Sequence, residues 1–475
     1  MSSSILLATD CYKLNHQVQY KPGTNKVYSY LCPRSDKYFD RCVFFGLQYY
    51  LKEYLAQEIT HDDAHQFVDA CQRITGSCPD QMIENVFRLA DLGYWPLEIK
   101  AIPEGTVIPV KNAVLTMTNT LPEFFWCVGF VESLLLKVWY PMTVATTSMA
   151  YRQVVDRLFD ETGEGLRDFA VHDFGYRSDS SEEGAAISGA AHLLSFRGSD
   201  TIPAFPFIQE YYDSETLLYE SPMLSVPATE HSVMCSYGPE GEMEAFERML
   251  DLYPTGIVSI VSDTYSIWDV CTKILPALKD RILARDGKVV IRPDSGFPPD
   301  IICGRDGSPG SLEEYKGVLR LLDEEFGHTI NSKGYKELNP KIGLIYGDGM
   351  YLDRYKETLI RMKTMGYAAN NLVIGCGGIL RQGTRDTLGM ALKATYVEQD
   401  GKPVEIYKAP VTDTKKHSHR GLMAVYNPVH APIFTVDRVT AEAEKKGILQ
   451  TVFKDGVVTK DWTWNEVKAN YEASR

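Results

Sequence analysis

Between about residues 141 and 394 the chain repeats one pattern: a continuous apolar, β-branched run, an abrupt polar or glycine end, then a helical stretch. The runs at 169–171, 224–226, 257–261, 288–291, 342–346 and 372–374 end in HDFGYR, PATEH, Ser262-Asp263, Arg292-Pro-Asp-Ser-Gly296, Gly347-Asp-Gly349 and Gly375-Cys-Gly-Gly378. A run that is apolar at every position suits a strand covered on both faces, the condition of a parallel sheet flanked by helices. The special residues all follow a run, and in such sheets ligands bind at the carboxyl ends of the strands. The pattern therefore predicts α/β architecture with its chemistry at one mouth.

The flanking regions differ. Residues 1–140 predict an α+β module: a strand at 27–31, helices at 44–57 and 64–73, short strands between 99 and 117, and an apolar helix over about 123–137. Residues 395–475 return to short strands and turns, with Asn427-Pro428 as a turn, Asp455-Gly456 as a hairpin between 451–453 and 457–459, and a closing helix from Trp464. Their similar composition predicts that 1–140 and 395–475 form one discontinuous α+β domain beside the domain at 141–394.

Composition narrows the function. The 475 residues carry a net charge of −14, which disfavours nucleic acid and anionic lipid, so an anionic ligand needs a local basic pocket. The apolar stretch 121–140 contains Glu123, Glu132 and Lys137 and reads as too short and too charged to span a bilayer. No signal peptide is visible in MSSSILLATDCYK, and the expected address is the cytoplasm. The ten cysteines show no C-x-x-C and read as buried free thiols. HDDAH at 61–65 is not the H-E-x-x-H of a zinc site, and the basic run 415–420 reads as a solvated loop.

Asp263, Asp294 and Asp348 follow three successive runs, and Gly377 and Gly378 follow the next. Carboxylates on neighbouring strand ends converge, and can hold ribose hydroxyls, a hydrated Mg²⁺ or a carbon that becomes cationic. Adjacent glycines let backbone N–H groups approach a phosphate, and Arg385 is spaced to reach it. Asp and Gly are also ordinary turn residues; it is their recurrence that points to a site. Arg177, Arg292 and Arg385 lie in or beside these motifs, with Lys393 eight residues on, and arginine forks suit phosphate. His231 closes a run and is a candidate acid, base or phosphate acceptor. Tyr12 and Phe174 can stack on a flat ring. No G-x-G-x-x-G, P-loop or kinase signature is present.

ILLATDCYK, VYSYL-x-x-R, HDFGYR, FRGSD, EHS, VSD, IRPDSG, GDG, a glycine pair, TRD and FKDGVVTK occur in this order along nearly the whole chain. Together they resemble the nicotinamide phosphoribosyltransferase family, of the type II phosphoribosyltransferase fold. The resemblance implies an irregular TIM-like α/β barrel beside a discontinuous α+β domain, acting as a homodimer with sites at the interface. It implies transfer of phosphoribosyl from phosphoribosyl pyrophosphate to nicotinamide with Mg²⁺, giving nicotinamide mononucleotide and pyrophosphate in NAD salvage. It places Phe174 on one face of the pyridine and Tyr12 of a partner subunit on the other. Asp200 then accepts the carboxamide N–H, Arg292 approaches its oxygen, and Asp294, Gly347 and Asp348 sit by the ribose. The phosphates fall to Gly378, Arg385, Arg177, Arg34, Lys393 and Lys408, and His231 matches a histidine phosphorylated by ATP. GCGGILRQGTRD is one residue shorter than the family's usual form, and 304–310 looks like an extra loop remote from the chemistry. No residue is singled out as a direct metal ligand. The rival readings are a nicotinate phosphoribosyltransferase, a barrel hydrolase on a ribosyl substrate, and a non-enzymatic interaction protein of the same fold.

Overall fold

The computed structural model describes residues 4–212, 221–305, 307, 309–409 and 418–475. The chain divides into two units: Met1–Thr146 with Phe207–Thr216 and Gly383–Arg475, and Thr147–Pro206 with Leu217–Gln382. Sequence composition put the boundaries at 140 and 394; by contact they fall at 146 and 382.

Among the described residues the first unit carries a seven-stranded antiparallel sheet. Its strands come from both ends of the chain: Thr24–Cys32 pairs with Ala391–Gln399, and Leu97–Ala101 pairs with Gln450–Lys454. Leu97–Ala101 alternates buried and half-buried residues, the period of a strand with one face on a core. A two-residue Asp455-Gly456 turn joins Gln450–Lys454 to Val457–Val458, and Thr463 caps the closing helix Trp464–Ser474 through a capping box with Glu466.

The expected helix over 123–137 is instead four short turns: Pro122–Phe124, Cys127–Phe130, Glu132–Leu135 and Leu136–Val138. Val128, Gly129 and Val131 are weak helix formers, and apolar burial on all sides supplies no single face to keep one regular helix. Helical structure also continues beyond Tyr140. The run Pro122–Thr162 is long and apolar enough by composition to cross a membrane, but its most apolar window, with mean hydropathy 1.2, is 61% buried inside the protein, as in a core helix.

The second unit is built on a parallel sheet of five strands: β1 (Val171–Asp173), β2 (Thr255–Val261), β3 (Asp286–Arg292), β4 (Ile342–Tyr346) and β5 (Leu372–Cys376). Their order is β1-β5-β4-β3-β2. Isolated parallel bridges join Asp173 to Ser199, Gly198 to Leu224 and Ala228 to Ser259. The segment 224–226 is thus a bridge rather than the expected strand; Pro222 and Pro227 on either side have no N–H for a ladder. The run at 169–171 is likewise shifted: Arg167–Phe169 is a 3₁₀ turn and the strand starts at Val171. Val258, Ile260, Val289, Ile291, Leu344 and Ile374 of the strands share one buried cluster with Leu275, Leu322 and Leu359 of the covering helices. Each such side chain contributes about 1.5–3 kcal/mol on burial.

His192, in the helix Glu182–His192, is fully buried between Ser148 Oγ at Nδ1 and the Gly198 carbonyl at Nε2, both 3.2 Å away. Burial lowers its pKa to about 4. An unfolded imidazole takes its proton near 6.5, so between these values the unfolded chain binds more protons and stability falls as pH drops. The expected loss from this group between pH 7 and pH 4 is about 3 kcal/mol. Urea unfolding of the native protein and of His192→Asn, which cannot titrate, should show the steeper acid loss in the native protein; equal slopes would refute the assignment.

Candidate active site

The strand order places the sequence candidates side by side. Asp263, Asp294 and Asp348 follow β2, β3 and β4, which are adjacent, while Gly377 and Gly378 follow β5 and Phe174 follows β1. A cavity of 790 Å³ opens at these carboxyl ends. Phe174, Asp200 and Arg292 line it together with Asp294, Gly347 and Asp348. Arg177, Gly377 and Gly378, also expected there, line it too, whereas Asp263, His231 and Arg385 do not; Ser178, Glu230, Tyr351 and Gln382 join it without having been singled out from sequence.

The floor is tied by a buried ion cluster. The Arg381 guanidinium makes a two-pronged pair with Asp173, at the end of β1, and its Nε donates to Asp179 Oδ2 at 3.1 Å. Burial acts to raise the Asp173 carboxyl, but Arg381 outweighs it and holds it below the ordinary range. Asp173 Oδ1 also accepts the Gly175 N–H at 2.8 Å. The two loops that border the cavity, after β1 and after β5, are thereby locked together.

At the aromatic end, the Phe174 ring lies against Gly375, where a methyl group would sit inside the ring. The Arg292 guanidinium lies 5.8 Å from the same ring's centroid. Asp200 Oδ1 is 3.0 Å from His172 Nε2 and also accepts the Ser225 hydroxyl. Burial again acts upward on Asp200, and the His172 bond and charge, with Ser225, hold it lower. A planar, amide-bearing ring fits these groups: a flat face, an acceptor carboxylate and a donor guanidinium.

At the other end, Gly347 approaches so closely that a methyl there would meet Asp294 Oδ1. That oxygen is buried and has no partner among the described residues. Burial raises the Asp294 pKa; Arg292 and His231 pull it back, while Asp263 and Asp348 push it further up. Asp263 is spent internally: Oδ1 is 3.2 Å from His231 Nε2 and Oδ2 accepts the Asp294 N–H at 2.7 Å. Its side chain is 5% exposed against 44% for His231, and neither residue lines the cavity directly. Among the described residues no three metal-ligating side chains cluster.

Tyr12, Arg34, Arg385, Lys393 and Lys408 belong to the first unit. Tyr12, Arg34, Arg385 and Lys408 are exposed; Arg385 pairs with Asp386 at 2.9 Å, and Arg34 Nε donates to the Gly389 carbonyl. Lys393 is half-buried; burial and the nearby Arg34, Lys13 and Lys408 lower its pKa, against Glu132. Of the basic run 415–420, residues 415–417 lie outside the described residues, as do 306 and 308 of the loop 304–310.

Comparisons with known proteins find relatives over nearly the whole chain. The model of the nicotinate phosphoribosyltransferase family matches residues 169–457, and that of the nicotinamide phosphoribosyltransferase N-terminal domain matches 4–78. The chain is 39% identical over 490 residues to a nicotinamide phosphoribosyltransferase of Acinetobacter baylyi, covering 98% of this chain and 96% of that one. It is 37% identical over 486 residues to one of Xanthomonas campestris, covering 99% of each. Among solved structures, nicotinate-nucleotide pyrophosphorylase from Pyrococcus furiosus superposes with a TM-score of 0.63 at 14% identity, over 100% of this chain and 95% of that one. Human nicotinic acid phosphoribosyltransferase gives 0.58 at 16%, over 98% and 93%. At those identities the two structures speak to the fold alone.

Removing Arg381 leaves Asp173 charged and buried, a change that costs about 3–5 kcal/mol. Arg381→Ala should lower unfolding stability by that amount in urea titration, and Asp173→Asn placed in the same chain should recover part of it. An Arg381→Ala protein as stable as the native one would show that the cluster does not hold the loops.

Proposed function

The chain belongs to the nicotinate phosphoribosyltransferase family, and from that premise we propose that it transfers the phosphoribosyl group of phosphoribosyl pyrophosphate to nicotinamide, as a pentosyltransferase of NAD salvage. One observation carries this reading: a single cavity joins an aromatic end with a carboxylate and a guanidinium to a sugar end with two carboxylates and a glycine loop. In the transfer, the bond from C1 to the pyrophosphate oxygen breaks, the C1–N bond to the pyridine forms, and positive charge develops on the sugar. Phe174 holds the ring flat, Asp200 accepts the carboxamide N–H and Arg292 donates to its oxygen, which aims the ring nitrogen at C1. Asp294 and Asp348 face the developing charge, and the backbone at Gly377 and Gly378 receives the 5′-phosphate with Arg177.

The unpartnered Asp294 Oδ1 and the mutual repulsion of neighbouring carboxylates are what a cation would relieve. Asp294 and Asp348 would hold a hydrated magnesium ion, which when bound supplies positive charge to the departing pyrophosphate. The bridges at 173–199, 198–224 and 228–259 run from one edge strand of the parallel sheet to the other, which supports an irregular barrel. A homodimer in which a second copy supplies Tyr12, Arg34, Lys393 and Lys408, with Arg385 on the phosphate, is part of the same proposal. It is supported by the exposed Tyr12 ring and the basic cluster around Lys393. A cytoplasmic address is supported by ten cysteines that are all free.

Acceptor choice follows from charge. The Asp200 carboxylate accepts a hydrogen bond from a neutral amide, worth about 1.5–3 kcal/mol, and repels the carboxylate of nicotinate. With Mg²⁺ and phosphoribosyl pyrophosphate, the protein should form nicotinamide mononucleotide and pyrophosphate, with kcat/KM for nicotinamide about a hundredfold above that for nicotinate. Asp200→Asn should bring the two acceptors close together. Equal use of both by the native protein would favour the nicotinate reading, and release of free base with ribose phosphate would favour a hydrolase.

His231 is half-buried and backed by the buried Asp263 carboxylate, a setting suited to taking a phosphoryl group from ATP with ADP leaving. ATP should then be hydrolysed during turnover and a phosphohistidine should be detectable by mass spectrometry, lost in His231→Ala. A His231→Ala protein with the same ATP response as the native one would remove this role while leaving the transfer itself intact.

A further inference from the structure

His172 has no part in the reading above, yet it controls the residue on which acceptor choice rests. It sits on β1, its side chain 12% exposed, with Nε2 3.0 Å from Asp200 Oδ1. Its ring is fixed: the centroid lies 5.2 Å from that of Phe174, and a methyl at Gly198 would collide with Nδ1. The Ser225 hydroxyl donates to the same Oδ1, and the Asp200 N–H donates to the Asp173 carbonyl at 2.9 Å. One carboxylate oxygen is therefore committed twice, which leaves Oδ2 to meet a ligand.

Among the described residues, the charged groups near the pair include Asp173, which follows His172 directly, pairs with Arg381 and still acts on Asp200, the buried imidazole of His192, and the Arg292 guanidinium over Phe174. Asp200 thus brings a negative charge to the acceptor end of the cavity that it lines.

We propose that His172 is a positioning residue that sets the acceptor preference: it pins Asp200 Oδ1 so that Oδ2 faces the ring. The inference rests on Asp200 being the carboxamide acceptor. The held carboxylate accepts from a neutral pyridine amide and turns a pyridine carboxylate away.

The test is the ratio of kcat/KM for nicotinamide to that for nicotinate. Groups that serve the sugar end affect both acceptors alike and cancel in the ratio. His172→Ala, which frees Asp200 Oδ1, should lower the ratio about tenfold, through a higher KM for nicotinamide with kcat little changed. His172→Gln places an amide N–H near the position of Nε2 and should restore the native ratio. Asp200→Asn, which removes the charge itself, should give a low ratio and serves as the control if His172→Ala does not fold. A native ratio retained in His172→Ala, or a low one in His172→Gln equal to that of His172→Ala, overturns the proposal while leaving the nicotinamide preference standing. A native protein with no preference overturns the acceptor reading, and this inference with it.

Discussion

A buried guanidinium has to be neutralised where it lies, and this necessity organises the cavity. Arg381 reaches back from the loop after β5 to Asp173, at the end of β1, and to Asp179, just before the helix Glu182–His192. Two carboxylates around one cation would be poor use of burial if only stability mattered, since apolar side chains of similar volume do as well or better. What the cluster adds is direction. It fixes where the chain turns after β1, and so where Phe174 leaves the strand, and it fixes the loop after β5 whose glycines border the same space.

The strand ends were legible because each carries its signal locally. An apolar run broken by Ser-Asp, Pro-Asp or Gly-Asp is visible in one stretch of sequence, and the neighbour relation of β2, β3 and β4 brings Asp263, Asp294 and Asp348 together without further instruction. Arg381, His172 and Ser225 were not legible, for the opposite reason. Arg381 and Asp173 are 208 residues apart, and Ser225 and Asp200 are 25 apart with, among the described residues, only a single bridge from Gly198 to Leu224 beside them. His172 stands inside HDFGYR, where Phe174 and Arg177 draw attention; its partner appears only once the chain is folded. The segment 123–137 failed differently, because an all-apolar stretch has no periodicity to separate one long helix from several packed turns.

The cavity also shows how an acidic chain can serve an anionic substrate. Its carboxylates are not left facing one another freely. Arg292 lies between the two ends, over the Phe174 ring on one side and 3.8 Å from Asp294 on the other. The same side chain therefore contributes a donor to the ring site and a counter-charge to the sugar site. This explains why Asp294 retains an unpartnered oxygen toward Gly347 without being surrounded only by like charge.

The two imidazole–carboxylate pairs of this unit clarify which acidic groups meet substrate. His172 holds Asp200, and His231 holds Asp263, each pair bridging two neighbouring segments at the carboxyl end of the sheet. The geometry of the acids differs. Asp263 is almost fully enclosed, with one oxygen on the imidazole and the other on the Asp294 N–H, and it does not line the cavity. Asp200 is half-exposed and lines the cavity, with both bonds on one oxygen. An enclosed carboxylate can only position: Asp263 orients His231 and sets the backbone of Asp294. A carboxylate that borders the cavity can recognise. The same pairing of residue types thus yields a support at the sugar end and a selector at the ring end, and the division follows from how far each carboxylate is enclosed.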